Sequence, residues 1–222
     1  MELALQMCAT VAEIKARMQS AYPELSFGLF GENRDYTLNV EGIDEYDAEN
    51  ICALFADVCY GDGELSLAET LVEFLTQKSL RLSVAESCTG GMLSSAIVDV
   101  EGASQIFYEG LITYANESKE ERLGVMRETL YDHGAVSKET AIEMANGLLS
   151  NADIAVSVTG IAGPQGGTLQ KPVGLVYIAV ASKDRTDIYE HTFRGERKDI
   201  RTKAKNSALF YALKHAKNLI FD

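Results

Sequence analysis

Ser83-Val84-Ala85-Glu86-Ser87-Cys88-Thr89-Gly90-Gly91 is the stretch around which the rest of this sequence organises itself. Leu82 to Ala85 reads as a strand and Gly90 to Val98 as the helix behind it, so the residues between them form a turn at the C-terminal end of a strand. Ligands gather at that end in open α/β sheets. The glycines permit tight backbone geometry, and free N–H groups at the start of the following helix can bind an anion or an oxyanion. The same letters also describe a capped helix start whose glycines serve packing. No lysine follows the glycines as in a phosphate-binding P-loop, and the spacing differs from that of a hydrolase nucleophile elbow.

Downstream, Gly110 to Tyr114 reads as a second strand and a helical piece begins near Asn116. Ser137 can cap a helix to about Leu149, and Asp153 to Val158 is a short apolar run of the kind found in buried strands. Beyond a glycine-rich loop, Gly174 to Ala181 and Asp187 to Phe193 pattern as a hairpin, and a long helix spans roughly Arg197 to Leu219. Alternating strands and helices predict a three-layer α/β/α sandwich with a mixed sheet.

Upstream, Ser66 and Glu69 have capping-box spacing and open a helix whose face includes Leu67, Leu71, Phe74 and Leu75. Gly61-Asp62-Gly63 breaks the pattern before it, which sets the expected boundary between a small α+β module, residues 1–61, and the main domain, residues 62–222. Within the module, Val11, Ile14 and Met18 recur at helical steps. Ser26 to Phe30 and Tyr36 to Val40 flank a turn, and Ala48 to Tyr60 patterns as a second helix, giving an α-β-β-α unit.

Composition narrows the function. The 222 residues carry a formal charge of −13, which argues against a nucleic-acid partner, since such proteins draw much of their affinity from basic surfaces. Residues 1–60 hold 11 acidic and 3 basic side chains, leaving 22 and 17 for the rest, so the larger part is nearly balanced and can accept a small anion locally. No apolar run reaches the length of a membrane span and no signal peptide opens the chain, so a cytoplasmic location is expected. Cys8, Cys52, Cys59 and Cys88 lack metal-ligand or disulfide spacing and are expected as reduced thiols, with no metal and no cofactor.

A serine nucleophile at Ser87 needs a base. His133, His191 and His215 each sit among structural signals, which disfavours a Ser-His-Asp triad and turns attention to lysine. Thr113-Tyr114-Ala115-Asn116-Glu117-Ser118-Lys119 ends one strand and starts a helix, so Tyr114, Asn116 and Lys119 can converge on the same sheet edge as Ser87. Burial would lower the lysine pKa toward a useful range; a surface lysine paired with Glu120 or Glu121 is the alternative. Cys88 competes as nucleophile, although adjacent turn residues point differently. The loop Thr159 to Gly167 offers backbone donors to a phosphate or a flat ring, or is a plain connection. Arg197 and Arg201 lie one turn apart on the final helix and can clamp a phosphate or form a solvated basic face.

Taken together, Ala85 to Gly91, Thr113 to Lys119, His133-Gly134-Ala135-Val136-Ser137, Thr159 to Pro164 and Lys171-Pro172-Val173-Gly174 resemble the CinA C-terminal domain family, which includes nicotinamide mononucleotide deamidases of the PncC type. The resemblance runs from about Leu65 to the C-terminus. It implies hydrolysis of a nucleotide carboxamide, with Ser87 as nucleophile, Lys119 as its activator and Tyr114 nearby. Glu86, Cys88, Thr89, Gly90, Gly91, Asn116, Thr159 and Gly160 would then line the substrate site, with Arg197 and Arg201 near its phosphate. It further implies a homo-oligomer acting on a small-molecule nucleotide. Residues 1–60 look like the KH-like linker module of longer CinA proteins, but their acidity disfavours RNA binding. A catalytically silent nucleotide-binding regulator is the alternative of a different class.

Overall fold

The computed structural model describes residues 1–63 and 65–219, and the chain divides into two compact units, Met1–Thr70 and Leu71 onward. The division falls inside helix α3 (Leu67–Lys78), later than the glycine break expected to mark it. Ser66 and Glu69 cap α3 reciprocally: the Glu69 N–H donates to Ser66 Oγ (3.3 Å), and the Ser66 N–H donates to Glu69 Oε2 (2.8 Å).

The first unit is built in the order β1 (Glu2–Met7), α1 (Val11–Ala21), β2 (Phe27–Glu32), β3 (Asp35–Glu41), α2 (Glu45–Leu54) and β4 (Cys59–Gly61). Its sheet order is β2-β3-β1-β4, all antiparallel, the split β-α-β pattern rather than the α-β-β-α unit expected. Two strands had escaped notice. Leu3, Leu5 and Met7 alternate with Glu2, Ala4 and Gln6, a period-two signal of only six residues at the chain start. Cys59–Gly61 continues the apolar spacing of the second helix, yet α2 starts earlier than predicted, capped by Asp44, and stops at Phe55 so that the last three residues pair with β1. Leu5, Met7, Ile14, Met18, Leu38, Val40, Ile51 and Phe55 form its core.

The second unit is an α/β fold around a five-stranded sheet ordered β6-β5-β7-β8-β9. The strands are β5 (Leu82–Glu86), β6 (Phe107–Ile112), β7 (Ile154–Gly160), β8 (Leu175–Ala181) and β9 (Thr186–Thr192). β6, β5 and β7 run parallel, while β8 pairs antiparallel with both β7 and β9, which makes the sheet mixed. β5 and β7 are buried along nearly their whole length because both faces are covered, which is why β7 reads as a nearly continuous apolar run rather than an alternation.

One face of the sheet packs against α5 (Asn116–Leu123), α6 (Arg127–Asp132) and α7 (Lys138–Asn146). Ala85, Ala155, Ala179 and Ala181 meet Ala141, Met144 and Ala145 there. Small side chains on both surfaces bring α7 close enough for the hydroxyl of Ser157 to donate to the α7 carbonyl of Ala141 at 2.5 Å. The other face carries α4 (Met92–Val98) and the long α8 (Arg197–Asn218). Among the described residues, no helix is long and apolar enough to cross a membrane.

Candidate active site

Parallel strands β5 and β7 run in register from Leu82 beside Ile154 to Glu86 beside Val158, so their C-terminal ends come level. The chain leaves β5 at Ser87, whose N–H donates to Val158 O (2.9 Å) and holds the turn against β7. Gly90 and Gly91 both adopt positive φ, +57° and +93°, a reversal that a side chain would strain. The turn therefore closes tightly, and α4 starts immediately after Gly91.

Glu86 occupies a different place from the one expected. Its carboxylate is fully buried and accepts from the N–H groups of Gly91 (3.0 Å), Leu93 (3.0 Å) and Ser94 (2.8 Å) and from the Ser94 hydroxyl (2.6 Å). It caps α4 and is shut away from a ligand, because a carboxylate at a helix start finds unsatisfied donors and a favourable dipole. Replacing Glu86 by glutamine turns a donor amide toward these N–H groups. The expected cost is about 1 to 3 kcal/mol, read as a drop of about 2 to 10 °C in the unfolding of the C-terminal unit. An unchanged transition would show that the cap contributes little.

Ser87 and Lys119 meet. The Lys119 ammonium donates to Ser87 Oγ at 3.3 Å, to Thr113 O at 2.7 Å and to Tyr114 O at 3.3 Å. The juxtaposition arises because α5 begins just past β6, and its first turn folds Lys119 back over the carbonyls at the strand end. Lys119 is 0% exposed, and burial away from water lowers its pKa below the usual lysine range. Among the described residues, no carboxylate partners it. In the neutral form the two carbonyls hold its two N–H groups, and the remaining tetrahedral position, with the lone pair, is left to Ser87 Oγ. That is the geometry of a base beside a nucleophile.

Cys88, the competing nucleophile, is 5% exposed, and burial pushes its thiol up to about 12, outweighing Arg201 and Arg197. At neutral pH it is a thiol rather than the thiolate that reacts. Among the described residues, the N–H groups of Thr89 and Gly90 donate to no protein acceptor, and that of Cys88 meets only its own thiol, so the turn keeps backbone donors beside Ser87. Thr89 itself is buried, with its hydroxyl lacking a partner among the described residues.

Other expected residues take supporting positions. Arg201 donates from Nε to Cys88 O (3.0 Å) and from Nη2 to Thr89 O (2.6 Å), bracing the serine turn instead of standing open for a phosphate. Arg197 donates to Gly163 O (2.8 Å) and to the Tyr114 hydroxyl (3.3 Å), linking α8 to the loops after β6 and β7. The Tyr114 ring is 61% exposed; its carbonyl, rather than its phenol, touches Lys119. Thr159 is fully buried and donates to Ala135 O (2.6 Å), so its hydroxyl serves as a structural tie. A Cβ on Gly160 would fall 2.8 Å from Leu175 O and 2.7 Å from Val176 Cγ2, so glycine there lets β8 approach β7. Asn116 is exposed in the first turn of α5. Sequence reasoning missed the carbonyls of Thr113 and Val158, which any residue type could supply and no letter announces.

The fold and this site define a class: an α/β protein with a buried serine–lysine pair where parallel strands end. The CinA C-terminal domain family matches residues 64–216. A competence-damage inducible protein of Caldicellulosiruptor saccharolyticus is 47% identical over 188 residues, 84% of this chain and 46% of that one. A CinA-like protein of Kosmotoga olearia is 52% identical over 152 residues, 68% of this chain and 37% of its own. This chain thus spans about half or less of the length of these curated relatives. The crystal structure of the competence/damage inducible protein CihA from Agrobacterium tumefaciens superposes with a TM-score of 0.65 at 41% identity, covering 67% of this chain and 93% of that one. The CinA superfamily protein of Klebsiella pneumoniae gives 0.66 at 31% identity, covering 68% and 96%. The chain belongs to the CinA C-terminal domain family.

Proposed function

We propose that this protein is an amidohydrolase that converts the carboxamide of nicotinamide mononucleotide to the carboxylate with release of ammonia. The observation that carries this reading is the 3.3 Å contact between Ser87 Oγ and a fully buried Lys119 that has no counter-ion among the described residues. In the proposed sequence, neutral Lys119 takes the Ser87 proton as Oγ bonds to the carboxamide carbon, and the carbonyl oxygen becomes an oxyanion facing the N–H groups of Cys88, Thr89 and Gly90. The Lys119 ammonium then gives the proton to the departing nitrogen, the C–N bond breaks, and ammonia leaves an acyl-serine. Water, deprotonated by Lys119, attacks the ester; its C–O bond breaks and the proton returns to Ser87. The balance is amide plus water to carboxylic acid plus ammonia.

The choice of nicotinamide mononucleotide rests on family kinship with deamidases of that nucleotide. The test measures ammonia released from nicotinamide mononucleotide, with free nicotinamide and aliphatic amides in parallel. Release confined to the nucleotide is expected. Release from none of them, with calorimetric binding of the nucleotide intact, would sink the amidase reading in favour of a silent nucleotide binder.

A further inference from the structure

The segment His133–Val136, between α6 and α7, lies in neither strand nor helix, so its carbonyls need other donors. Side chains supply all four. Gly134 O accepts from the hydroxyls of Ser137 (3.0 Å) and Thr140 (2.8 Å), and Ala135 O accepts from Thr159 (2.6 Å). His133 O and Val136 O accept from one donor, the ammonium of Lys171, at 2.5 and 2.7 Å. Lys171 reaches this segment from the glycine-rich β7–β8 loop. It sits there in a turn where the Thr168 N–H donates to Lys171 O (2.8 Å) and the Lys171 N–H donates to Thr168 Oγ1 (3.0 Å).

At its base the loop is closed by the Ile161 N–H to Leu175 O (2.8 Å), the Gly174 N–H to Ile161 O (2.8 Å) and the Leu175 N–H to Pro172 O (3.1 Å). Beyond that base, among the described residues, hydrogen bonds tie it to the rest of the unit at two points. One is Gly163 O on Arg197, and the other is the Lys171 ammonium. The first lies on the side of Tyr114 and the serine turn. The second holds the far side, and the loop spans the distance between them with Gly163, Gly166 and Gly167, which give it little stiffness of its own. A charge-assisted pair of bonds to two carbonyls is strong enough to fix such a segment.

We propose that Lys171 is a positioning residue that holds the glycine-rich loop in place as a wall of the substrate site, acting on substrate affinity rather than on the chemistry at Ser87. The inference rests on the amidase reading. Two substitutions separate the bonds from the side chain's bulk: K171M keeps length and removes the donors, whereas K171R keeps donors able to meet two carbonyls. With nicotinamide mononucleotide, K171M is expected to raise KM about tenfold while kcat changes by less than about threefold, and K171R to recover most of the loss. Amide hydrogen exchange across residues 161–174 is expected to quicken in K171M and to return toward wild type in K171R. An unchanged KM in K171M, a fall in kcat at constant KM, or an arginine variant no better than methionine at the same melting temperature would each overturn the proposal. If the wild-type protein releases no ammonia, the amidase reading fails. The strut is then judged by exchange alone, and unchanged protection in K171M overturns it.

Discussion

Replacing Lys119 by methionine lowers amide turnover by about a thousandfold while leaving the fold in place. The two halves of this expectation have one physical source. Lys119 is fully buried, donates to Thr113 O and Tyr114 O, and among the described residues has no carboxylate to compensate its charge. Methionine removes the cost of burying an ionisable group but leaves the two carbonyls unpaired, each at about 1 kcal/mol, so the effects oppose and the melting temperature stays within about 5 °C. A variant retaining a tenth of wild-type turnover would exclude Lys119 as the base.

The pH dependence follows from the same burial. An unfolded lysine keeps its proton up to its ordinary value of 10.5, whereas the buried Lys119 gives it up at lower pH. Between the two values the unfolded state binds the extra proton, so this group makes stability rise with pH across that window and contributes no such rise below it. Turnover rises over the acidic side of the same titration as the free amine accumulates. Urea unfolding at several pH values, with wild type and K119M compared, reads the first effect; a slope unchanged by the substitution would contradict it.

The second large effect belongs to Ser87. Serine to alanine at this position removes the atom that forms the acyl intermediate, and turnover is expected to fall by about 10⁴-fold or more. Nicotinamide mononucleotide should still bind with an affinity within about threefold of wild type, because uniform binding does not depend on the nucleophile. Cys88 is a poor substitute: burial holds its thiol near 12, so it stays protonated at neutral pH, and its side chain is only 5% exposed. Rapid quench followed by intact mass should show an adduct on the wild-type protein and none on S87A. Residual turnover above about 1% of wild type in S87A would point to direct attack by water and against a covalent route.

Much of this site was legible in the sequence for a reason that also explains what was not. Ser87 and Lys119 each follow a strand, and parallel strands in an α/β sheet deliver their C-terminal ends to one edge, so order along the chain already implied proximity. The central strand β7 was found because burial on both faces writes a nearly continuous apolar run. Side-chain assignment was harder. Glu86 and the two arginines looked like ligands since polar residues beside a nucleophile usually face it. Here the helix start claimed Glu86, the carbonyls of the serine turn claimed Arg201, and Gly163 O with the Tyr114 hydroxyl claimed Arg197. Whether a polar group serves the substrate or the scaffold depends on which unsatisfied backbone groups lie within reach, and spacing along a chain does not carry that. The small unit lost two strands for a related reason, being short enough that one missing period leaves no pattern.

Arg201 grips the carbonyls of Cys88 and Thr89 from the last helix of the chain, more than a hundred positions downstream. During synthesis the serine turn emerges early, between β5 and α4, while the residue that braces it is among the last of the domain to be made. Contacts of such high sequence separation form only after the intervening loop has been closed. The serine turn is therefore fixed late: a nascent domain that already possesses its sheet, Ser87 and Lys119 still lacks the brace that sets the turn until α8 docks.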